Sequence, residues 1–142
     1  MNIKTRALLL APIVWIVVVG GTTSPAGAPG VVSTPPQMIL NETTPDLPKG
    51  PNANVRVFVG TLAPGDVTFW HVHASPPIVF IESGTATWEF RDGRPPETRQ
   101  AGQAILEPAN VPVRLANRGT TTVRVVMVSA TKPGDPFMRP AP

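Results

Sequence analysis

From residue 54 to residue 130 the chain alternates apolar and polar side chains with a period of two, and it does so in short runs. No segment there repeats at the 3.6 residues of an amphipathic helix. Val55, Val57 and Val59 alternate with Arg56 and Phe58. Further runs follow at Val67–Val72, Ile78–Ile81, Thr85–Phe90, near Thr98, at Ala104–Glu107, Val111–Ala116 and Thr122–Ser129. Turn signals separate them: Asp92-Gly93 is a favoured hairpin pair, and Asn117-Arg118-Gly119-Thr120 turns the chain again. Runs this short, rich in β-branched residues, predict strands. The expected fold class is therefore all-β, as a sandwich, a barrel or a double-sheet jelly roll. Trp70, Trp88, Phe58, Phe69, Phe80 and Phe90 are its candidate core or mouth aromatics.

Proline marks where this pattern stops. Of the 19 prolines, Pro29, Pro35, Pro36, Pro45, Pro48 and Pro51 crowd residues 29–53, and more occupy residues 131–142. Proline lacks an amide donor and is kept out of helix interiors and central strands. Residues 29–53 thus read as an arm, with Met38-Ile39-Leu40 able to add one edge strand, and residues 131–142 as a flexible proline-rich tail. Residues 1–28 read as an export segment. Lys4 and Arg6 precede the apolar run Ala7–Val19, and small residues follow. The expected location is secreted or periplasmic, and an uncleaved segment is the only membrane attachment the sequence suggests. Without Lys4 and Arg6 the formal charge of +3 falls to about +1. The remaining arginines are scattered, so no nucleic-acid partner is expected. The chain has no cysteine and no tyrosine, which removes thiol chemistry, disulfides and phenolic acid catalysis. It has no glycine-rich phosphate loop with a lysine, and neither Ser75 nor Ser83 has the strand-to-helix setting of a serine nucleophile.

The two histidines of the chain stand two apart, at His71 and His73. On a strand that spacing puts both rings on one face, and two imidazoles on one face are half of a common metal site. Gly65 precedes the pair by the length of a turn and Gly84 follows it; Gly102, Pro108 and Asn117 recur further on. In this order and spacing, over about residues 55–130, the chain resembles the cupin family. The resemblance implies a single jelly-roll β-barrel over residues 54–130 and pairing as a homodimer through edge strands. It also implies a site built from three histidines and one glutamate. Two of those four positions are replaced here. Pro77 stands where the family glutamate is usual and Val113 where the third histidine is usual, while Asn110 replaces a glycine. Among nearby carboxylates, Glu82 has the wrong strand parity to face the pair, whereas Glu107 lies where it could line the mouth.

The pocket candidates are accordingly His71, His73, Trp88, Glu107 and Val113, with His71 and His73 as metal ligands and Glu107 as a compensating third. Two functions stay open at this point. In the first, the domain binds a small molecule without a tightly held metal. In the second, it is a metal-dependent enzyme of oxygenase or isomerase type working with the reduced His71/His73 set. The cofactor expected is at most a weakly held divalent transition metal.

Overall fold

The alternating runs become strands because each has one face to bury, and the turns between them are made by residues suited to reverse the chain. The computed structural model describes residues 36–142. Residues 1–28, expected to be an export segment, and the first part of the arm lie outside the described residues. Nine strands follow in order: β1 Asn54–Leu62, β2 His71–Val72, β3 Ile78–Ser83, β4 Thr85–Phe90, β5 Glu97–Gln100, β6 Ala104–Leu106, β7 Val113–Ala116, β8 Val123–Thr131 and β9 Arg139–Pro140. They form a four-stranded sheet in the order β1-β8-β3-β6 and a five-stranded sheet in the order β5-β4-β7-β2-β9. Pairing is antiparallel throughout the named strands. The exception is an isolated parallel bridge between His73 and Ala109.

The core lies between the two sheets. Val79, Ile81, Val123 and Val125 come from one, and Ala86, Trp88, Val113 and Leu115 from the other. On β1 the inward side carries Phe58, Gly60 and Leu62, so Val55, Val57 and Val59 face outward and are exposed. Arg56 also points inward, where its guanidinium donates to the Thr131 hydroxyl and the Asp135 carbonyl. The aromatics divide by setting. Trp88 is fully buried, Phe69 is half exposed, and Trp70 lies beneath the guanidinium groups of Arg91 and Arg114. Glu82 faces outward, as its parity predicts, and pairs with Arg124.

Four expectations are corrected. The two sheets face one another as an open pair and do not close into a barrel. Among the described residues no strand of one sheet pairs with a strand of the other. Closure needs the edge strands of the two sheets to exchange hydrogen bonds, and here the edges β1 and β6 of one sheet and β5 and β9 of the other do not. No strand forms at Met38-Ile39-Leu40; Leu40 and Leu47 instead line a cavity with Ile78, Leu106 and Val128 on the outside of the four-stranded sheet. The tail does contain a strand, β9, which takes the edge of β2. That edge, the one beside the histidines, is therefore not free for a second copy, and pairing through it is withdrawn. Among the described residues no helix is long and apolar enough to cross a membrane, and the N-terminal segment on which the expected attachment rested lies outside them.

The glycines of the spacing pattern are explained by backbone geometry. Gly65, Gly84 and Gly102 all have positive φ, at 87°, 80° and 85°, a region costly for residues with a Cβ. Their surroundings differ. A Cβ at Gly65 would meet nothing within 4 Å, whereas at Gly84 it would stand 2.8 Å from the Thr122 carbonyl oxygen and 3.0 Å from Val123 Cα. Gly65→Ala is therefore expected to cost only backbone strain, about 1–2 kcal/mol. Gly84→Ala adds a steric clash of about 1–3 kcal/mol. Equilibrium urea denaturation of both variants checks this, and equal losses would contradict it.

Candidate functional site

Strand β2 is only two residues long, yet it is held on both sides. His71 lies opposite Val113 of β7 and Pro140 of β9. His73 is fixed just beyond the strand, where its carbonyl accepts from the Asn110 amide at 2.7 Å. Asn110 takes a positive φ of 57°, a conformation asparagine tolerates better than most residues. This is how it substitutes for the glycine expected there. Asn117 is a structural clamp. Its side-chain amide donates to the Leu62 and Thr121 carbonyls and its oxygen accepts from the Gly119 amide.

The third side chain comes from the other sheet. Strands β3 and β6 pair with Ile78 opposite Leu106, and one step further the Glu107 amide donates to the Pro77 carbonyl at 3.0 Å. Pro77, the position of the missing family glutamate, therefore has Glu107 directly across from it. Ile78 faces outward, so strand parity turns both Pro77 and Glu107 inward. The carboxylate lost at residue 77 is regained on the neighbouring strand. Val113, at the position of the missing histidine, is fully buried in the core beside His71, and nothing replaces it.

His71, His73 and Glu107 are all buried, and one ligand-type atom from each lies within 4.8 Å of the others. The hydrogen bonds around them decide which atoms are available. His71 Nδ1 is 2.8 Å from the Phe69 carbonyl oxygen, and His73 Nδ1 is 2.8 Å from that of Phe137. A carbonyl only accepts, so each Nδ1 carries the proton, and in a neutral ring Nε2 keeps its lone pair. Glu107 Oε1 accepts from the Trp88 indole at 2.6 Å, which leaves Oε2 for the site. Glu107 Oε2 is 2.8 Å from His73 Nε2, but the direction is wrong for a hydrogen bond, and that nitrogen has no other partner. Buried this close together, the two atoms call for a positive charge, which a proton on Nε2 or a bound cation would supply.

The three donors lie in a cavity of about 190 Å³, walled largely by apolar groups including Leu62, Leu115, Met127, Phe137 and Met138. Larger cavities of about 280 and 290 Å³ lie beside the arm. Among the described residues, however, only the smaller one gathers three metal-ligating side chains. Of the sequence candidates, the structure brings together His71, His73 and Glu107. Trp88 and Val113 sit in the packed core behind them and do not line the cavity. The sequence did not point to Phe137 or Met138. Their only signal was an apolar pair, Phe137-Met138, inside a proline-rich tail.

The donor set fits a divalent cation. Two imidazoles and one carboxylate with open positions suit zinc, iron or a similar ion. Each ligand is fixed through its other polar atom, as such sites generally require. Three donors in place of four make a weaker grip than the full family set.

Comparison with known proteins gives the same picture. Residues 58–129 match the family described as Cupin domain (Cupin_2). No curated protein sequence matches the chain. Among solved structures, the DMSP lyases RdDddP and RnDddQII are represented by a chain with 29% identity and a TM-score of 0.51, aligned over 62% of this chain and 44% of that one. A cupin-like protein from Thermotoga maritima MSB8 has 21% identity and a TM-score of 0.55, over 62% of this chain and 65% of that one. The polyketide cyclase RemF from Streptomyces resistomycificus has 18% identity and a TM-score of 0.53, over 65% and 63%. The last two show the fold alone. This chain spans less than two thirds of the length of each of the three.

Burial pushes the His71 imidazole below its ordinary value of 6.5; the Phe69 carbonyl and the Glu107 charge oppose that shift, and His73 adds to it. A depressed value means that the unfolded chain binds more protons than the folded one as pH falls below 6.5. The stability tied to this ring is thus complete above 6.5 and is lost as pH falls through the lowered folded value. In chelator, urea midpoints are expected to drop over that interval, and His71→Gln to flatten the drop. An unchanged slope in the variant would contradict the assignment.

Proposed function

The chain belongs to the cupin family, and we propose that His71, His73 and Glu107 hold an exchangeable divalent transition metal against which a small ligand binds. The observation that carries this reading is the unpartnered His73 Nε2 beside Glu107 Oε2, with the second atom of each side chain already bonded elsewhere. A pocket meant only for hydrogen bonding to a ligand would gain from protons pointing into it. Here both rings turn their lone pairs inward, and the carboxylate adds a negative charge.

The cavity sets the ligand's size and character. About 190 Å³ is the liquid volume of about six waters, so the ligand is a small molecule. Leu115, Met127, Phe137 and Met138 favour an apolar portion, and the open face of the donor set favours a carboxylate or hydroxyl oxygen beside it. When bound, the ion would act as a Lewis acid on that oxygen. Glu107, held by Trp88 through one oxygen, would keep the ion's position and offset its charge. The apolar wall would exclude water. The likeness to DMSP lyases supports a lyase as the enzymatic form of this reading.

Protein purified without affinity-tag metal is expected to bind about one equivalent of cobalt, zinc or iron reversibly and to release it to chelator. Glu107→Gln keeps the shape and removes the charge. It is expected to weaken binding by more than tenfold, a change of about 1.4 kcal/mol per decade, measured by calorimetric titration. Equal affinity in variant and parent would remove Glu107 from the site, and no saturable binding in the parent would end the metal reading.

A further inference from the structure

The segment after β8 supplies Phe137 and Met138 to the cavity wall, and it is fastened along its length beside the site. Arg56 holds the Asp135 carbonyl at 2.9 Å, β9 pairs with β2, and the Ala141 amide donates to the Trp70 carbonyl at 2.9 Å. Between these anchors the Phe137 ring packs against Phe58 and His73, with centroid distances of 4.3 and 4.8 Å. This seats the Phe137 carbonyl on His73 Nδ1. A neutral imidazole has one ring proton to place. Without that carbonyl, the nearest acceptor for the His73 proton is Glu107 Oε2, 2.8 Å from Nε2. A proton moved to Nε2, with a small rotation of the ring, would satisfy imidazole and carboxylate by each other and consume the lone pair that a cation needs.

We infer that Phe137 is a positioning residue of the site. Its backbone carbonyl holds His73 in the Nδ1–H tautomer, and the C-terminal segment must be docked for the three donors to accept a cation. The tautomer stands on hydrogen-bond geometry alone; its consequence for cations rests on the function proposed above. His71 is an internal control, because its Nδ1 partner is Phe69, outside the segment.

The test is long-range proton–nitrogen NMR of the full chain, labelled at histidine nitrogen, freed of metal and held above the imidazole titration range. Both rings are expected to carry the proton on Nδ1. A proton on His73 Nε2, in a neutral or charged ring, overturns the proposal. In a chain ending at Pro136, His73 is expected to shift to Nε2–H while His71 is unchanged. Cobalt affinity should fall by about 10–100-fold, the usual loss when a ligand's outer partner is removed. Should that chain not fold, Phe137→Ala in the full chain takes its place, since it removes the ring contacts that seat the carbonyl. A folded variant that keeps His73 as Nδ1–H overturns the proposal. The expected tautomer shift with no cobalt binding in the parent supports the positioning role and refutes only the cation reading.

Discussion

The pairing of β3 with β6 sets the rest of the site, because it places Glu107 opposite Pro77. Strand pairing has a period of two, so a register slip of one residue would turn the carboxylate to the outside. Val79 opposite Ile105 fixes that register from the core side, since both are buried. One strand pairing therefore both buries Val79 against Ile105 in the core and aims the acid. A buried carboxylate is costly unless it is hydrogen-bonded and paired. Trp88 satisfies one oxygen from the opposite sheet, a charge-assisted bond of the kind that contributes about 1.5–3 kcal/mol. The other oxygen is left facing two imidazoles.

That arrangement is electrostatically incomplete by construction. Both Nδ1 atoms are committed to backbone carbonyls, so the inward atoms are all acceptors. A core selected for stability alone would place a donor there. The site departs from the usual ligand set of its family at two positions, but the departures are not equivalent. Pro77 is compensated by its cross-strand neighbour. Val113 is uncompensated and has become part of the core beneath His71. Three ligands and a small apolar cavity are what remain.

Much of this was legible in the chain. The period-two runs gave all the long strands, and the spacing from Gly65 to Asn117 gave the fold family, because positive φ is required at Gly65, Gly84 and Gly102. The His-x-His pair and Glu107 could be named as site residues from parity and position. That Glu107 faces Pro77 could not, since register is a property of two strands and the hairpin between them, not of either alone. Nor could the open edges be read, because alternation is the same in a closed barrel and in two facing sheets. The short strand in the proline-rich tail has a physical reason. Proline argues against a central strand, but β9 is a two-residue edge strand at Arg139–Pro140, where a missing amide is tolerated.

The central claim is that two imidazoles and one carboxylate of this chain share a single cation. X-ray absorption at the metal edge of the zinc- or cobalt-loaded protein tests it most directly, because imidazole rings give a distinct outer-shell scattering signature. Two imidazoles with the remaining positions filled by oxygen is the result that this site predicts. A shell of oxygen alone, or one with a single imidazole, would contradict it.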